Sequence, residues 1–190
     1  MEAQSTRAEI VAAADDLFYR QGYAQTSFAD IAAVVEISRG NFYYHFKSKD
    51  EILDAVIAAR IERTERVLAR WEQAAKQPAD CIRSFIRMLL ANRGDIKRYG
   101  CPVGTLSAEL AKLAHESQPG ANQLFTLFRT WLAKHFSLLG RDADADALAL
   151  HILARSQGVA SLANAFQDET FIRSEVRLME EWLEGEIEKS

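Results

Sequence analysis

The chain has 190 residues, 48% of them apolar and 26% charged, with a formal net charge of −4. That is enough to bury one sizeable core, or a small module beside a larger domain, and it excludes a disordered chain. Two cysteines, Cys81 and Cys101, exclude a disulfide framework and fit a reducing compartment.

Every long apolar run is interrupted by Arg, Glu or Asp, and none approaches the ~20 consecutive apolar residues that span a bilayer. The N-terminal MEAQSTRAE has neither the basic nor the apolar region of a secretory signal. The expectation is a cytoplasmic protein with no membrane partner. Its acidity argues mildly against wholesale binding to nucleic acid. A local basic patch stays possible, because charges are screened beyond ~8 Å.

No stretch alternates apolar and polar residues long enough for a strand. Apolar residues recur instead at three and four positions, as in Leu124, Leu127, Phe128, Trp131, Leu132 and Phe136. The fold class is therefore all-α, with about nine helices. The first helix is predicted over 5–21, with Thr6 and Glu9 spaced as a capping box and Gly22 at the C′ position. Ser27 and Asp30 can cap a second helix whose inward face is Phe28, Ile31, Ala32 and Val35. After a break at Glu36 and Ile37, Ser38 can cap a third. A long helix opens at Ser48 and Glu51, a second capping-box spacing, and runs to Ala75 ahead of Pro78. Helices near 79–93, 103–117, 120–139, 143–167 and 171–188 follow. The natural division lies inside the long helix, near residue 50, giving domains 1–50 and 51–190.

The third helix carries the most unusual chemistry. Within SRGNFYYHFKSKDEIL, Phe42 and Phe46 are four apart and share a face that buries with Ile37. Arg39, Asn41, Tyr43, Tyr44 and His45 are left on the remaining surface. Two short helices, a tight turn and a small Ala32 at their approach spell helix-turn-helix. Asn can bond an adenine edge and Arg a guanine edge. Tyr can touch a thymine methyl while its hydroxyl reaches a phosphate. Lys47 and Lys49 can neutralise phosphates. No acidic residue occurs from Arg39 to Lys49. The competing reading packs the tyrosines against the first helix and leaves the lysines merely solvated. Agreement among caps, turn, spacing and the missing acids favours a DNA-reading face.

On the residues ADDLFYRQGYAQTSFADIAAVVEISRGNFYYHFKSKDEIL, the segment from about 6 to 66 resembles the DNA-binding domain of the TetR family of transcriptional regulators. The resemblance implies a three-helix DNA-binding domain, joined by a long helix to a helical ligand-sensing and dimerising domain, and repression relieved by a small molecule. It implies base contacts from Arg39, Gly40, Asn41, Tyr43, Tyr44 and His45, and phosphate contacts from Thr26, Ser27, Tyr44 and Lys49. One position departs from the family pattern. Glu36 stands where a turn Gly is usual, so a positive φ is expected there at a cost of ~1 kcal/mol.

Beyond residue 75 the motifs thin. Small residues Ala154, Gly158, Ala160, Ser161 and Ala163 permit close helix approach, and Val176, Met179, Trp182 and Leu183 form a second stripe. The resemblance pairs these last two helices with those of a second copy, and a reader of a palindromic operator needs two half-site readers. Either stripe could instead face the chain's own core. Candidate pocket residues for a small-molecule effector are Phe85, Met88, Leu89, Leu106, Leu110, Phe125, Phe128, Trp131 and Phe166, which are equally the residues of an ordinary core. Cys101, predicted just ahead of a helix and after Lys97 and Arg98, is a candidate sensor of oxidants or electrophiles, or else simple packing.

RDADADAL lacks the Gly and Glu of a calcium loop and reads as a helix start. His115, His135 and His151 fall on separate helices, and no metal or cofactor is expected. The sequence reads as no enzyme. The alternatives are a ligand-independent architectural DNA binder or a thiol-dependent enzyme using Cys101.

Overall fold

The structure, a computed structural model, describes residues Glu2–Glu188. Among these, ten helices occur in the order α1 (Glu2–Gln21), α2 (Phe28–Val35), α3 (Arg39–His45), α4 (Lys49–Ala74), α5 (Pro78–Ala91), α6 (Arg93–Tyr99), α7 (Pro102–Lys112), α8 (Gln118–Leu138), α9 (Ala145–Phe166) and α10 (Glu169–Ile187). No strand is present among the described residues.

Two compact units form. One comprises Met1–Arg63 with Thr105–Leu124, the other Thr64–Gly104 with Phe125–Ser190. The line between them falls inside α4, between Arg63 and Thr64 and so further along that helix than residue 50, and the greater part of α7 packs with the N-terminal module. The cause is visible in α7. Leu106 and Leu110, one helical turn apart, are buried in the core that holds Ile10, Phe18, Ile31, Phe42, Phe46 and Ile52.

Within that first unit the caps follow the sequence. Ser27 and Asp30 form a reciprocal capping box on α2, and Ser38 accepts the Asn41 amide at the start of α3. Gly22 closes α1 with φ +93°. Phe42 and Phe46 are each 1% exposed. The buried guanidinium of Arg60 in α4 donates from Nε to Asp15 of α1 at 2.6 Å, and Arg63 Nη2 adds a bond to the same carboxylate at 2.9 Å. This pairing offsets the cost of removing Arg60 from water.

Two boundaries and one element differ from expectation. Helix α1 begins at Glu2, so Thr6 lies inside it instead of capping it. Helix α7 ends at Lys112, where Ala114 takes φ 48° and the His115 amide turns back to the Leu110 carbonyl at 3.0 Å. No glycine announces that stop. Helix α6 was not anticipated. It contains Gly94 and buries only Ile96, so it shows no apolar period.

The second unit is a bundle whose core joins Leu68, Ile82, Phe85, Ile86, Phe136, Ile152, Val159, Ile172, Met179 and Leu183. Ion pairs between helices fasten its surface. Arg83 binds Glu184 at 2.7 Å, and Arg155 binds Glu175 at 3.0 Å. Val176, Met179 and Leu183 of α10 are at most 2% exposed and face this core, with Trp182 half-buried beside them. The stripe expected for a second copy is thus used within the chain. On α9 the small residues divide. Ala160 and Ala163 point inward, while Ala154, Gly158 and Ser161 are exposed.

The turn between α2 and α3 gives a direct test of local strain. Glu36 has φ 57° and ψ 36°, the left-handed region expected from sequence, and its amide bonds the Ala32 carbonyl. Glu36→Gly is expected to raise unfolding stability by about 1 kcal/mol, read from denaturant midpoints at unchanged slope.

Candidate nucleic-acid interface

The recognition face begins with the loop between α1 and α2, because that loop sets where α2 starts. Groups distant in sequence hold it. The Glu109 carboxylate of α7 accepts the amides of Tyr23 at 2.9 Å and Ala24 at 2.8 Å. Lys49 Nζ donates to the carbonyls of Tyr23 at 3.0 Å and Thr26 at 3.1 Å, and lies 4.2 Å from the centre of the Tyr23 ring.

The Tyr23 hydroxyl donates to the Asp50 carboxylate and lies 3.2 Å from His115 Nε2. Burial, together with that bond to Asp50, pushes the Tyr23 phenol well above its ordinary value. The same bond holds Asp50 below the usual carboxylate range. His115 Nδ1 accepts the Ser117 amide at 3.1 Å, so Nε2 bears the proton toward Asp50.

From this anchored loop the chain enters α2 and α3. Gly40 and Asn41 are exposed, Tyr43 is 46% and Tyr44 72% exposed, and His45 is half-buried with its ring edge-on to Tyr44. The side chain of Arg39 lies outside the described residues. Tyr43 packs its edge on Phe28, with ring centres 5.5 Å apart. A shallow groove lined by Ser27, Phe28, Ala29, Ala32, Phe42 and Tyr43 runs beside it. Lys47 is exposed, and its Nζ bonds the Tyr43 carbonyl. Phe42 and Phe46 are the reason the polar residues face outward. Once these two rings are buried, the helical period leaves positions 40, 41, 43 and 44 on the surface.

Two residues expected at the surface are not free to act there. Thr26 is 1% exposed. Its hydroxyl donates to the Gly22 carbonyl at 2.7 Å and accepts from Gln21 Nε2 at 3.2 Å, closing the loop. Lys49 is half-buried and spent on the loop carbonyls. Ser27 is exposed, yet its hydroxyl and amide are both engaged with Asp30. Sequence reasoning missed the roles of Glu109, Tyr23, Asp50 and His115; Tyr23 and Asp50 lie within the stretch that carries the family resemblance, whereas nothing beside Glu109 or His115 marks them. It also missed Arg7, whose exposed guanidinium stacks 4.7 Å from the centre of the Phe46 ring.

The residues expected to line an effector pocket separate into three places. Phe85, Leu89, Phe128 and Trp131 are buried in the core of the second unit, with Met88 and Phe125 partly buried against it. Leu106 and Leu110 belong to the core of the first unit. Phe166, the last residue of α9, is 72% exposed and lines no interior space. Cys101 sits half-buried immediately before α7, its Sγ accepting from the Gly104 amide at 3.5 Å. The neighbouring Lys97 is paired with Glu169 at 2.9 Å. Neither cysteine forms a disulfide. Among the described residues no group of His, Cys, Asp and Glu is placed to hold a metal ion, and no helix is long and apolar enough to cross a membrane.

An anchored helix-turn-helix at the N-terminal end of an all-helical chain defines a class, the helix-turn-helix transcriptional regulators. Residues 10–56 match the family described as bacterial regulatory proteins, tetR family. An HTH-type transcriptional regulator in the lacX 3' region of Lactococcus lactis is 30% identical over 98% of this chain and 97% of its own length. The HTH-type transcriptional regulator TtgR of Pseudomonas putida is 38% identical over 45% of this chain and 41% of its own. The crystal structure of a TetR transcriptional regulator from Legionella pneumophila superposes with a TM-score of 0.81 at 26% identity, covering 91% of this chain and 94% of that one. The chain belongs to the TetR family of transcriptional regulators.

The α2 cap offers a measurable electrostatic signature. Hydrogen bonds from the Ser27 side chain and then its amide hold Asp30 below its ordinary value of 3.8. Its contribution is complete above that ordinary value and fades as the pH falls through the lowered one. In Ser27→Ala, the Asp30 titration followed by NMR should move back up toward 3.8.

Proposed function

We propose that this regulator is a homodimeric repressor that reads a palindromic operator in duplex DNA and is released from it by a small-molecule effector. The observation that carries the reading is the face of α3. Gly40, Asn41, Tyr43 and Tyr44 are exposed together, and no acidic residue occurs from Arg39 to Lys49. Asn41 and Arg39 are the candidates for base edges, with Gly40 allowing close approach of the backbone. Tyr43 and His45 border the same face. Tyr44, Lys47 and Arg7 are the candidates for phosphate contacts.

Thr26 and Lys49 act on the operator indirectly in this reading, by fixing the loop that aims α2 and α3. A net charge of −4 does not oppose it. The phosphates meet the local charge, and acids more than ~8 Å away are screened.

A second copy is supported by α9. Leu150 at 41%, Leu162 at 44% and Phe166 at 72% exposure stand on the same helix as the exposed Ala154, Gly158 and Ser161. A helix that shows apolar and small residues to water suits burial against another helix. Two copies place two α3 helices for half-sites ~34 Å apart.

Release then follows from a shift in population. The effector binds better to an arrangement in which the two α3 helices no longer match the half-sites, with a coupling of ~1–3 kcal/mol. Oxidation of Cys101 is the weaker route, since Lys97 is already neutralised by Glu169.

The test is to select fragments of the host genome that the chain retains, then to measure binding of variants to the selected site. Asn41→Ala should weaken specific binding by ~1–3 kcal/mol and leave non-specific binding nearly unchanged. Lys47→Ala should weaken binding to all sequences and lower the slope of log affinity against log salt by ~1. Lys49→Ala should weaken binding with that slope unchanged, because its half-buried ammonium is held by two loop carbonyls, whereas Lys47 is exposed and makes a single carbonyl bond within its own turn. Equal slopes for Lys47→Ala and wild type would overturn the phosphate assignment.

A further inference from the structure

Two hydrogen-bonding atoms in the core of the second unit have no partner. Trp131 is 8% and His135 4% exposed, one turn apart on α8, and neither Trp131 Nε1 nor His135 Nδ1 meets a donor or acceptor. Buried polar atoms in folded proteins are nearly always satisfied, so a pair left open on one helix face calls for a missing group.

The chemistry of that group can be deduced. His135 Nε2 lies 3.2 Å from Glu72 Oε1, an oxygen that also accepts from Lys134 Nζ at 2.8 Å. Facing a carboxylate, Nε2 carries the ring proton. Burial pulls the imidazole below its ordinary pKa in spite of Glu72, which favours the neutral ring. Nδ1 is then a bare acceptor, whereas the indole N–H is only a donor. The two rings meet edge to face with centres 4.4 Å apart, and the Trp71 ring lies 5.9 Å from that of Trp131.

A carbonyl, ether or carboxylate oxygen would satisfy Trp131 but set its lone pairs against Nδ1. An ammonium would do the reverse. A hydroxyl accepts from one and donates to the other through a single oxygen. Glu72 is about one-third exposed, so the pair lies one residue in from solvent.

We propose that Trp131 and His135 are the polar contact of the effector site, and that the effector presents a neutral hydroxyl, on an alcohol or a phenol, between them with Trp71 as an aromatic wall. This rests on the ligand-responsive reading above and names the ligand's chemical class. A resident water has the same hydrogen-bonding chemistry, and the experiment separates the two sources.

The full chain is titrated with pairs of compounds that exchange hydroxyl for methyl: benzyl alcohol against ethylbenzene, and 2-naphthol against 2-methylnaphthalene. Binding is read by thermal unfolding and tryptophan fluorescence. At least one hydroxyl compound should bind about tenfold more tightly than its methyl twin. Trp131→Phe, which keeps a ring and removes the N–H, should abolish that preference. His135→Phe should do the same by removing the acceptor, and serves if the first variant fails to fold. If no hydroxyl compound outbinds its twin, or if the preference survives both variants, the proposal is overturned and the oxygen between the rings is water.

Binding of the selected DNA fragment is followed with the same compounds. Hydroxyl-dependent binding without release keeps the site and removes the ligand-responsive reading. Release that does not distinguish hydroxyl from methyl keeps that reading and removes the site.

Discussion

The fastening of five residues, Tyr23 to Ser27, governs the N-terminal unit. The loop has no regular structure of its own, and an unanchored loop would let α2 start at varying angles. Glu109 takes two of its amides, Lys49 takes two of its carbonyls, and Tyr23 buries its ring while its hydroxyl donates a hydrogen bond to Asp50. Backbone groups that neither helix nor sheet can satisfy are thus met by side chains from α4 and α7. With its start fixed, α2 is held by its capping box, and α3 follows from the Glu36 turn and the burial of Phe42 and Phe46. The display of Asn41, Tyr43 and Tyr44 is the last step of that sequence.

Much of this was legible in the chain, because the signals are short-range. A cap needs residues three apart, a buried pair of rings needs residues four apart, and a left-handed turn needs one residue between two helices. Ser27 with Asp30, Ser38, Phe42 with Phe46, Gly22 and Glu36 all behave as those rules require. The contacts that the rules cannot reach are those between residues far apart. Glu109 stands 86 positions from Tyr23, and nothing in its own neighbourhood marks it as a loop anchor. The same limit hid the burial of Thr26 and the commitment of Lys49, whose types alone suggest exposed phosphate ligands. It also hid the division of the middle helices between two cores, since Leu106 and Phe128 look alike in a periodic pattern.

The second unit shows how a helical pattern can be read correctly and its partner misassigned. The stripe on α10 is real, and ion pairs such as Arg83 with Glu184 border it, but it closes this chain's own core. The residues left over on α9 are smaller and more exposed, a combination that composition alone does not separate from an ordinary amphipathic helix. Inside the same core the open atoms of Trp131 and His135 are invisible to any sequence pattern, because an aromatic and a histidine four apart are usual core residues. Their importance arises from what they fail to touch.

Gly22 carries one further consequence. A methyl group added there would lie 3.2 Å from a Glu109 carboxylate oxygen, on backbone whose φ of +93° already disfavours any side chain. The absence of a side chain at one position is therefore matched to the reach of an acid 87 positions later. Drift at either site is constrained by the other. A bulkier residue at 22 would have to push the acid at 109 aside and would still carry the strain of a positive φ, so the two should be exchanged together when segments are swapped between related chains.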